Sequence, residues 1–304
     1  MIALNPGIGA TFYGSLPGIL DAHREVIEAS DLVCLHTSAD ASDVTSAARV
    51  RALGCDRVWL AIPANYLVSR ATRGGIGAAV GEVERCARIA RDMGAEVFEI
   101  NGEGQSDGQK PGDWIPADPQ EAARLASLAA AVIEAAKDVL AGSALVSWTS
   151  HDMPGFRLPW NAILSRVDLH APQHYPAQAG VVASQRSLAS RIDRSRGRWE
   201  ALAEAHTIPA DVVPYGSRWS PYLQGWGHTV GALVWGLCEA PVARLWACPG
   251  SWSPEAVKAL RGARAVRSAV GHGPDAIERF QTLHGLAADG VVGPRTLAAM
   301  GVAP

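Results

Sequence analysis

The chain predicts an α/β architecture: a (β/α)8 TIM barrel carrying a small C-terminal all-α module. Three observations carry that expectation. Short runs rich in β-branched and aromatic residues alternate with helical patterns through most of the 304 residues, and such alternation builds parallel strands joined by helical crossovers. The runs number eight, which fits the roughly 250 residues of a closed barrel. Beyond them the chain changes to two short helical patterns around Asp289-Gly290 and Gly293-Pro294. A doubly wound open sheet is the alternative arrangement of the same units.

In chain order the expected strands are Ile2–Leu4, Leu32–His36, Arg57–Ile62, Glu96–Asn101, Ala144–Thr149, Asp168–His174, Asp211–Tyr215 and Arg244–Cys248. Between them lie the helices. The stretch 79–93 repeats Val83, Cys86, Ile89, Ala90 and Met93 at helical spacing, and Gly94 supplies its stop signal. In 120–140, Leu125, Leu128, Ala129, Val132, Ile133, Ala136, Val139 and Leu140 form an apolar stripe with steps of three and four. Asp118-Pro119 and Ser253-Pro254 read as helix starts, with a capping residue followed by proline in the first turn. The long irregular segment is 102–118, GEGQSDGQKPGDWIPAD, directly after the fourth strand. Loops after barrel strands build the active face, and a loop this long is usually functional.

Composition removes several classes of function. With 27 Lys+Arg against 30 Asp+Glu, the formal net charge is −3, so the basic footprint of a nucleic-acid binder is missing. No run approaches the roughly 18 apolar residues of a membrane span, and no membrane insertion is expected. The five cysteines, Cys34, Cys55, Cys86, Cys238 and Cys248, are odd in number and contain no CxxC pair. They read as buried thiols of a protein made in a reducing cytosol. The opening MIALNPGIGATFYGS has no basic n-region before an apolar h-region, so the expectation is synthesis in the cytoplasm without a signal peptide. Neither GxGxxG after the first strand nor GxxxxGK[ST] anywhere supports a nucleotide site, and no GxSxG supports a serine nucleophile.

The tail, DAIERFQTLHGLAADGVVGPRTLAAMG at 275–301, has its own logic. Ile277, Phe280 and Leu283 give one apolar face, Asp289-Gly290 a tight turn, and Gly293-Pro294 a helix start. Two helices this short bury little, so a third is required; Pro254–Val270 can supply it while also serving as the eighth barrel helix. On Ile277, Phe280, Gln281, Gly285, Leu286, Asp289, Gly290, Gly293, Pro294, Thr296 and Leu297 the tail resembles the peptidoglycan-binding module (type 1). The expected division is a barrel over 1–252 and a helical module over 253–304.

The fourth strand carries the chemistry. Alternation puts Val97, Glu99 and Asn101 on one face, with Glu103 in register if the chain stays extended. Acidic groups facing a barrel interior are costly unless paired or used, so this strand end reads as a site. The spacing Glu96-x-x-Glu99-x-Asn101-x-Glu103 is similar to the D-x-x-D-x-D-x-E strand of chitinase-like (family 18) glycoside hydrolases. Ala171-Pro172-Gln173-His174-Tyr175 is similar to that family's sixth strand, and Trp246 stands where such barrels place a tryptophan under the sugar. The resemblance implies that Glu103 is the general acid and Asn101 orients the substrate's N-acetyl group. It further implies that Tyr175 hydrogen-bonds that group and Trp246 floors the pocket. Asn101 departs from the family's acetamide-polarising aspartate. A two-carboxylate glycosidase would instead pair Glu103 with Glu99, or with Asp152 in Trp148-Thr149-Ser150-His151-Asp152.

Gln173, His174, Tyr215 and the tryptophans Trp148, Trp219, Trp246 and Trp252 sit at or just beyond strand ends, and aromatic faces suit sugar rings. They are the expected substrate-binding residues. Peptidoglycan is a chain of N-acetylated sugars, and an acetamido oxygen can serve as internal nucleophile. The expected function is therefore an endolysin-like peptidoglycan hydrolase without metal or cofactor, acting on glycan strands of the bacterial cell wall. It would reach the wall after release from the cell or as part of a phage or tail-like particle. Two alternatives stand beside it. One is a non-catalytic wall-binding or structural component of such a particle. The other is a metal-dependent wall amidase using His36, His151, His170 or His174 with Asp152 or Asp168, although the sequence contains no HExxH.

Overall fold

The computed structural model describes residues 4–14, 17–102, 119–152, 159–174, 183–206, 208–209, 218–225, 227–246 and 252–302. Eight parallel strands close into a barrel in chain order: β1 (Gly7–Tyr13), β2 (Leu32–His36), β3 (Arg57–Pro63), β4 (Val97–Asn101), β5 (Leu145–His151), β6 (Leu169–His174), β7 (Tyr222–Gln224) and β8 (Val242–Trp246). The closing pair sets Gly9 of β1 opposite Arg244 of β8 and Thr11 opposite Trp246, so no strand edge is left unpaired. The connecting helices are α1 (Pro17–Ala22), α2 (Arg24–Glu28), α3 (Ala41–Ala52), α4 (Ala64–Asp92), α5 (Pro119–Leu140), α6 (Trp160–Leu164), α7 (Gln185–Ala205) and α8 (Val230–Glu239). Three more follow β8: α9 (Pro254–Val270), α10 (Ala276–Leu283) and α11 (Pro294–Ala299).

Helix ends follow local chemistry. Asp40 accepts from Ser42 N at 2.7 Å and Asp43 closes the capping box on α3. Ser253 Oγ accepts from Ala256 N at 3.2 Å at the start of α9. Gly94, with φ of 64°, ends the turn after α4. The helical pattern of 79–93 extends back to Ala64 through a kink at Gly75, where φ is 75°.

Two strands differ from expectation. β1 lies at Gly7–Tyr13 rather than Ile2–Leu4, because its glycines conceal it in a propensity reading. They are needed in the barrel: a Cβ at Gly9 would stand 2.5 Å from the Leu32 side chain and 2.6 Å from its carbonyl oxygen. The expected seventh strand, Asp211–Tyr215, lies outside the described residues, and the stave between β6 and β8 is Tyr222–Gln224. Its three residues are flanked by Pro221 and Gly225, which mask it as a loop.

Two apolar layers hold the barrel. The larger lies between the outer strand faces and the helices, with Ile8, Val33, Leu60, Phe98, Val146 and Leu245 completely buried. The smaller fills the lumen with Leu32, Cys34, Trp59, Val97, Leu169 and Val242. Each fully buried aliphatic side chain stabilises the fold by roughly 1.5–3 kcal/mol. The alternation that separates these layers is what points Glu99, Asn101 and Arg244 inward.

The C-terminal helices are built onto this frame. α9 packs against α8, β1 and α2 on one side and α10 on the other. The side chain of Gln281 organises the following turn: Nε2 donates to Asp289 Oδ1 at 2.8 Å and to Val291 O at 2.9 Å, while Oε1 accepts from Gly290 N at 2.9 Å. Phe280, Leu297, Met300 and Val302 complete its core.

Candidate active site

The carboxyl ends of the strands are the end at which this fold carries its functional loops. β4 places two residues of interest in successive layers. Glu99 lies opposite Ala61 and Ser147, and Asn101 lies one layer higher, opposite Pro63 and Thr149.

In the lower layer Glu99 is only 1% exposed and Arg244 is completely buried. The guanidinium donates to the carboxylate through Nη1 at 3.0 Å and Nη2 at 2.6 Å, and Ser147 Oγ adds a third donor at 3.0 Å. Arg244 is held between the rings of Trp59 and Tyr222, 4.6 Å and 4.9 Å from their centroids. Burial acts to lower the Arg244 pKa, but the adjoining Glu99 carboxylate outweighs it and holds the guanidinium above its ordinary value. The pair plugs the lumen as a neutral unit. Both Glu99 oxygens are engaged by these three donors, deep in the lumen below Asn101. Beside it the Cys34 thiol is pushed up to about 12 by burial, which leaves it an inert core group.

The upper layer is a neutral hydrogen-bond network centred on Asn101. Its Oδ1 accepts from Thr149 Oγ1 at 2.6 Å and, at longer range, from Gln173 Nε2 at 3.5 Å. Its Nδ2 pairs with His36 Nε2 at 3.1 Å, and Gly102 N donates to Thr149 Oγ1 at 3.2 Å. Burial, then the charge of Arg244, brings the His36 pKa down to about 4. The imidazole is therefore neutral at physiological pH, and its Nε2 lone pair accepts from Asn101. Tyr13 lies 4.3 Å from His36 and 5.4 Å from Trp246, edge-on to the indole. Asn101 is thus fixed in orientation, with its oxygen saturated and one amide hydrogen left to offer.

Among the residues expected from sequence, Asn101, Gln173 and Trp246 come together here. Glu103, Tyr175 and Tyr215 lie outside the described residues. Asp152 is 6% exposed and paired with Arg191 of α7, while its carbonyl accepts from Ser195 Oγ and from Trp199 Nε1 at 2.9 Å. Those bonds fasten the β5 end to α7. Trp148 faces the outer layer and donates to Gly102 O at 3.1 Å. Trp219 is completely buried beside His170 on the outer side, and Trp252 packs on Phe12 with centroids 5.4 Å apart. His174 also points outward, completely buried, with burial taking its pKa down to about 4.

Sequence reading overlooked Tyr13, Thr149 and Arg244 as members of the site. The misplaced first strand hid Tyr13. Thr149 was available from alternation on β5, and Arg244 from its isolation in the apolar run Val-Ala-Arg-Leu-Trp. Four cysteines, Cys34, Cys55, Cys86 and Cys238, are buried free thiols, and Cys248 lies outside the described residues. Among the described residues no group of three or more His, Cys, Asp or Glu side chains is placed to hold a metal. His170 is instead bonded to Ser150 Oγ at 2.8 Å and set edge-on to Trp199. Among the same residues no helix is long and apolar enough to cross a membrane.

Residues 275–300 match the family model described as a putative peptidoglycan binding domain. The fold is similar to a GH18 chitinase from Pseudoalteromonas aurantia, at 10% identity and a TM-score of 0.52, covering 84% of this chain and 99% of that one. It is also similar to a variant of the endo-beta-N-acetylglucosaminidase from Cordyceps militaris, at 10% identity and a TM-score of 0.53, covering 86% and 91% of the two chains. A psychrophilic family 10 endo-beta-1,4-xylanase matches at 8% identity with a TM-score of 0.50, covering 81% and 86%. These likenesses establish the barrel fold. No curated protein matches the sequence.

Proposed function

We propose that the chain is a glycoside hydrolase of peptidoglycan, taking the N-acetylated glycan strand at the barrel mouth. The observation that carries this reading is the uncharged upper layer of the lumen, among the described residues. Neutral His36, Asn101, Thr149 and Gln173 form one hydrogen-bonded set beside Tyr13 and Trp246, above an ion pair that cancels its own charge. Such a surface suits an uncharged polar ligand with flat apolar faces, as an N-acetylated sugar has, better than a phosphate or a free carboxylate. The module at 275–300 and the glycosidase barrels of similar fold support the same substrate class.

In this reading Glu103, two residues beyond Asn101, donates a proton to the glycosidic oxygen as the bond to the anomeric carbon breaks. Glu99 and Asp152 are committed to Arg244 and Arg191. That favours a single-acid scheme in which the substrate's acetamido oxygen attacks the anomeric carbon. Asn101 would orient the acetamide through its remaining N–H; as an amide it cannot neutralise positive charge developing there. Tyr175 and Trp246 would complete the pocket wall.

The test measures reducing ends released from purified sacculi by wild type and Glu103→Gln, with mass spectrometry of the products to identify the linkage. The expected result is release by wild type and a loss of about 10²–10⁴-fold in the variant, the usual range for a general acid. Equal release by both proteins would remove Glu103 from the mechanism. A second reading, a wall-binding barrel without catalysis, is favoured by the amide at position 101 and the sealed Glu99. Binding to sacculi with no reducing ends released would establish it.

A further inference from the structure

His36 closes a hydrogen-bond chain that runs in one direction through the upper layer of the lumen. The chain starts at Gly102, whose backbone N–H can only donate and reaches Thr149 Oγ1 at 3.2 Å. The Thr149 hydroxyl in turn donates to Asn101 Oδ1 at 2.6 Å, and Gln173 Nε2 donates to the same oxygen at 3.5 Å. The Asn101 amide is thereby turned with its Nδ2 toward His36 Nε2, 3.1 Å away. That last link needs a lone pair on Nε2, so the proton of the neutral ring sits on Nδ1.

The ring is held too firmly to withdraw when its protonation changes. Its strand is tied on both sides, with Gly14 N donating to His36 O at 3.0 Å and Thr37 N to Ala61 O at 2.9 Å. Tyr13 lies against the ring with centroids 4.3 Å apart. The turn that follows is locked from outside the lumen. Ala39 adopts a φ of 55°, a left-handed conformation unfavourable for a residue with a Cβ. Arg85 of α4 holds it by donating to the carbonyls of Ala39 and, at 3.1 Å, of Ser38. Asp43, completely buried, accepts from Thr37 Oγ1 at 2.8 Å and from Asp40 N at 2.9 Å. Backbone strain held in this way is concentrated at functional sites. Around the imidazole stand Tyr13 of β1, Ala61 of β3 opposite it in register, and Asn101 of β4. The charge acting on it from the layer below is that of Arg244 of β8, paired with Glu99, and it opposes protonation.

We infer that His36 orients Asn101: its Nε2 lone pair decides which end of the Asn101 amide is offered to a bound ligand, and a proton placed on Nε2 reverses the amide. This rests on the reading of the lumen as a site for N-acetylated glycan. With Nδ2 held on the β2 side, the free amide hydrogen meets an acceptor oxygen of the ligand there. A protonated Nε2 would face Nδ2 as donor against donor. Exchange of the two ends of the amide then puts Oδ1 on His36, moves the free N–H across to the Thr149 side and sets Gln173 Nε2 against a donor. The ligand oxygen loses its partner.

The test uses the full chain. In protein carrying nitrogen-15 histidine, NMR shifts read which ring nitrogen holds the proton, the His36 signals being assigned by their loss in His36→Gln. Wild type near neutral pH is expected to show the Nδ1–H form; the Nε2–H form overturns the inference. Binding is measured to a soluble tetramer of N-acetylglucosamine. His36→Leu, without an acceptor, should weaken it about three- to tenfold, the scale of one hydrogen bond. His36→Gln, whose amide oxygen can stand in for Nε2, should recover most of that loss. Asn101→Asp should raise the midpoint of the His36 titration by about one to three pH units, the effect of an adjacent carboxylate, a response that a merely space-filling ring would not give. Equal binding by wild type and His36→Leu, or a Gln variant as weak as the Leu variant, also overturns the inference, and either result leaves release of reducing ends by wild type in place. A wild type that shows the Nδ1–H form and the Asn101→Asp shift yet binds no tetramer upholds the orienting role of His36 and removes the glycan reading.

Discussion

Glu239 and three buried histidines set opposing pH limits on this fold. Burial, then the nearby acids Glu278, Asp193 and Asp275, raises the Glu239 pKa to about 8. A carboxyl raised in the folded state contributes fully below its unfolded pKa near 4.5, and stability falls as pH climbs through the folded value. His36, His174 and His228 behave oppositely. Burial lowers each to about 4, so the unfolded chain takes up protons first and stability falls as pH drops from 6.5 toward 4. Together these groups place the stability maximum at about pH 6.5, with the steeper fall on the acid side, where three groups titrate against one. Thermal melts across pH 4–9 should show that maximum, and Glu239→Gln should flatten the alkaline limb while leaving the acid limb in place. An alkaline limb unchanged by Glu239→Gln would show that the carboxyl is not the titrating group.

Strand β4 illustrates how one element serves two layers at once. Its inward residues build the plug and the Asn101 network, while its exit is braced from outside by Trp148. A Cβ added at Gly102 would stand 2.5 Å from the Trp148 ring, a rigid buried neighbour. Gly102→Ala should therefore displace the tryptophan or the strand exit and cost about 1–3 kcal/mol, the usual price of overpacking. The same substitution should reduce reducing-end release more than it reduces sacculus binding, since Glu103 follows directly. Denaturant midpoints and the two activities measured side by side would check this; a neutral effect on all three would mean that the exit is free to shift. The β4 spacing was readable from sequence because strand alternation is local. The pairing of Glu99 with Arg244 was not, since 145 residues separate the partners and nothing local records which strands close the barrel.

The molecule as a whole behaves as one body in its packing. α9 covers the barrel between α8 and β1 and also supports α10, so barrel and module share a helix instead of a linker. Arg267 of α9 reinforces this by donating to the carbonyls of Leu237 at 2.7 Å and Pro241 at 2.8 Å. Calorimetry should give a single cooperative transition for the full chain, and deletion of residues 274–304 should lower its midpoint by exposing the α9 face under Phe280, Met300 and Val302. Two resolved transitions would indicate that the module unfolds on its own.

Patterns repeated within a few residues fixed the succession of strands and helices, the turn chemistry of the tail and the inward face of β4, because each depends on neighbours along the chain. Ring closure did the rest. It brought Arg244 onto Glu99, set His36 beside Asn101, enclosed Trp219 in the outer core, and seated the tail's turn on Gln185 of α7. Those outcomes depend on which distant side chains compete for the same enclosed volume, and such competition exists only once the barrel has closed.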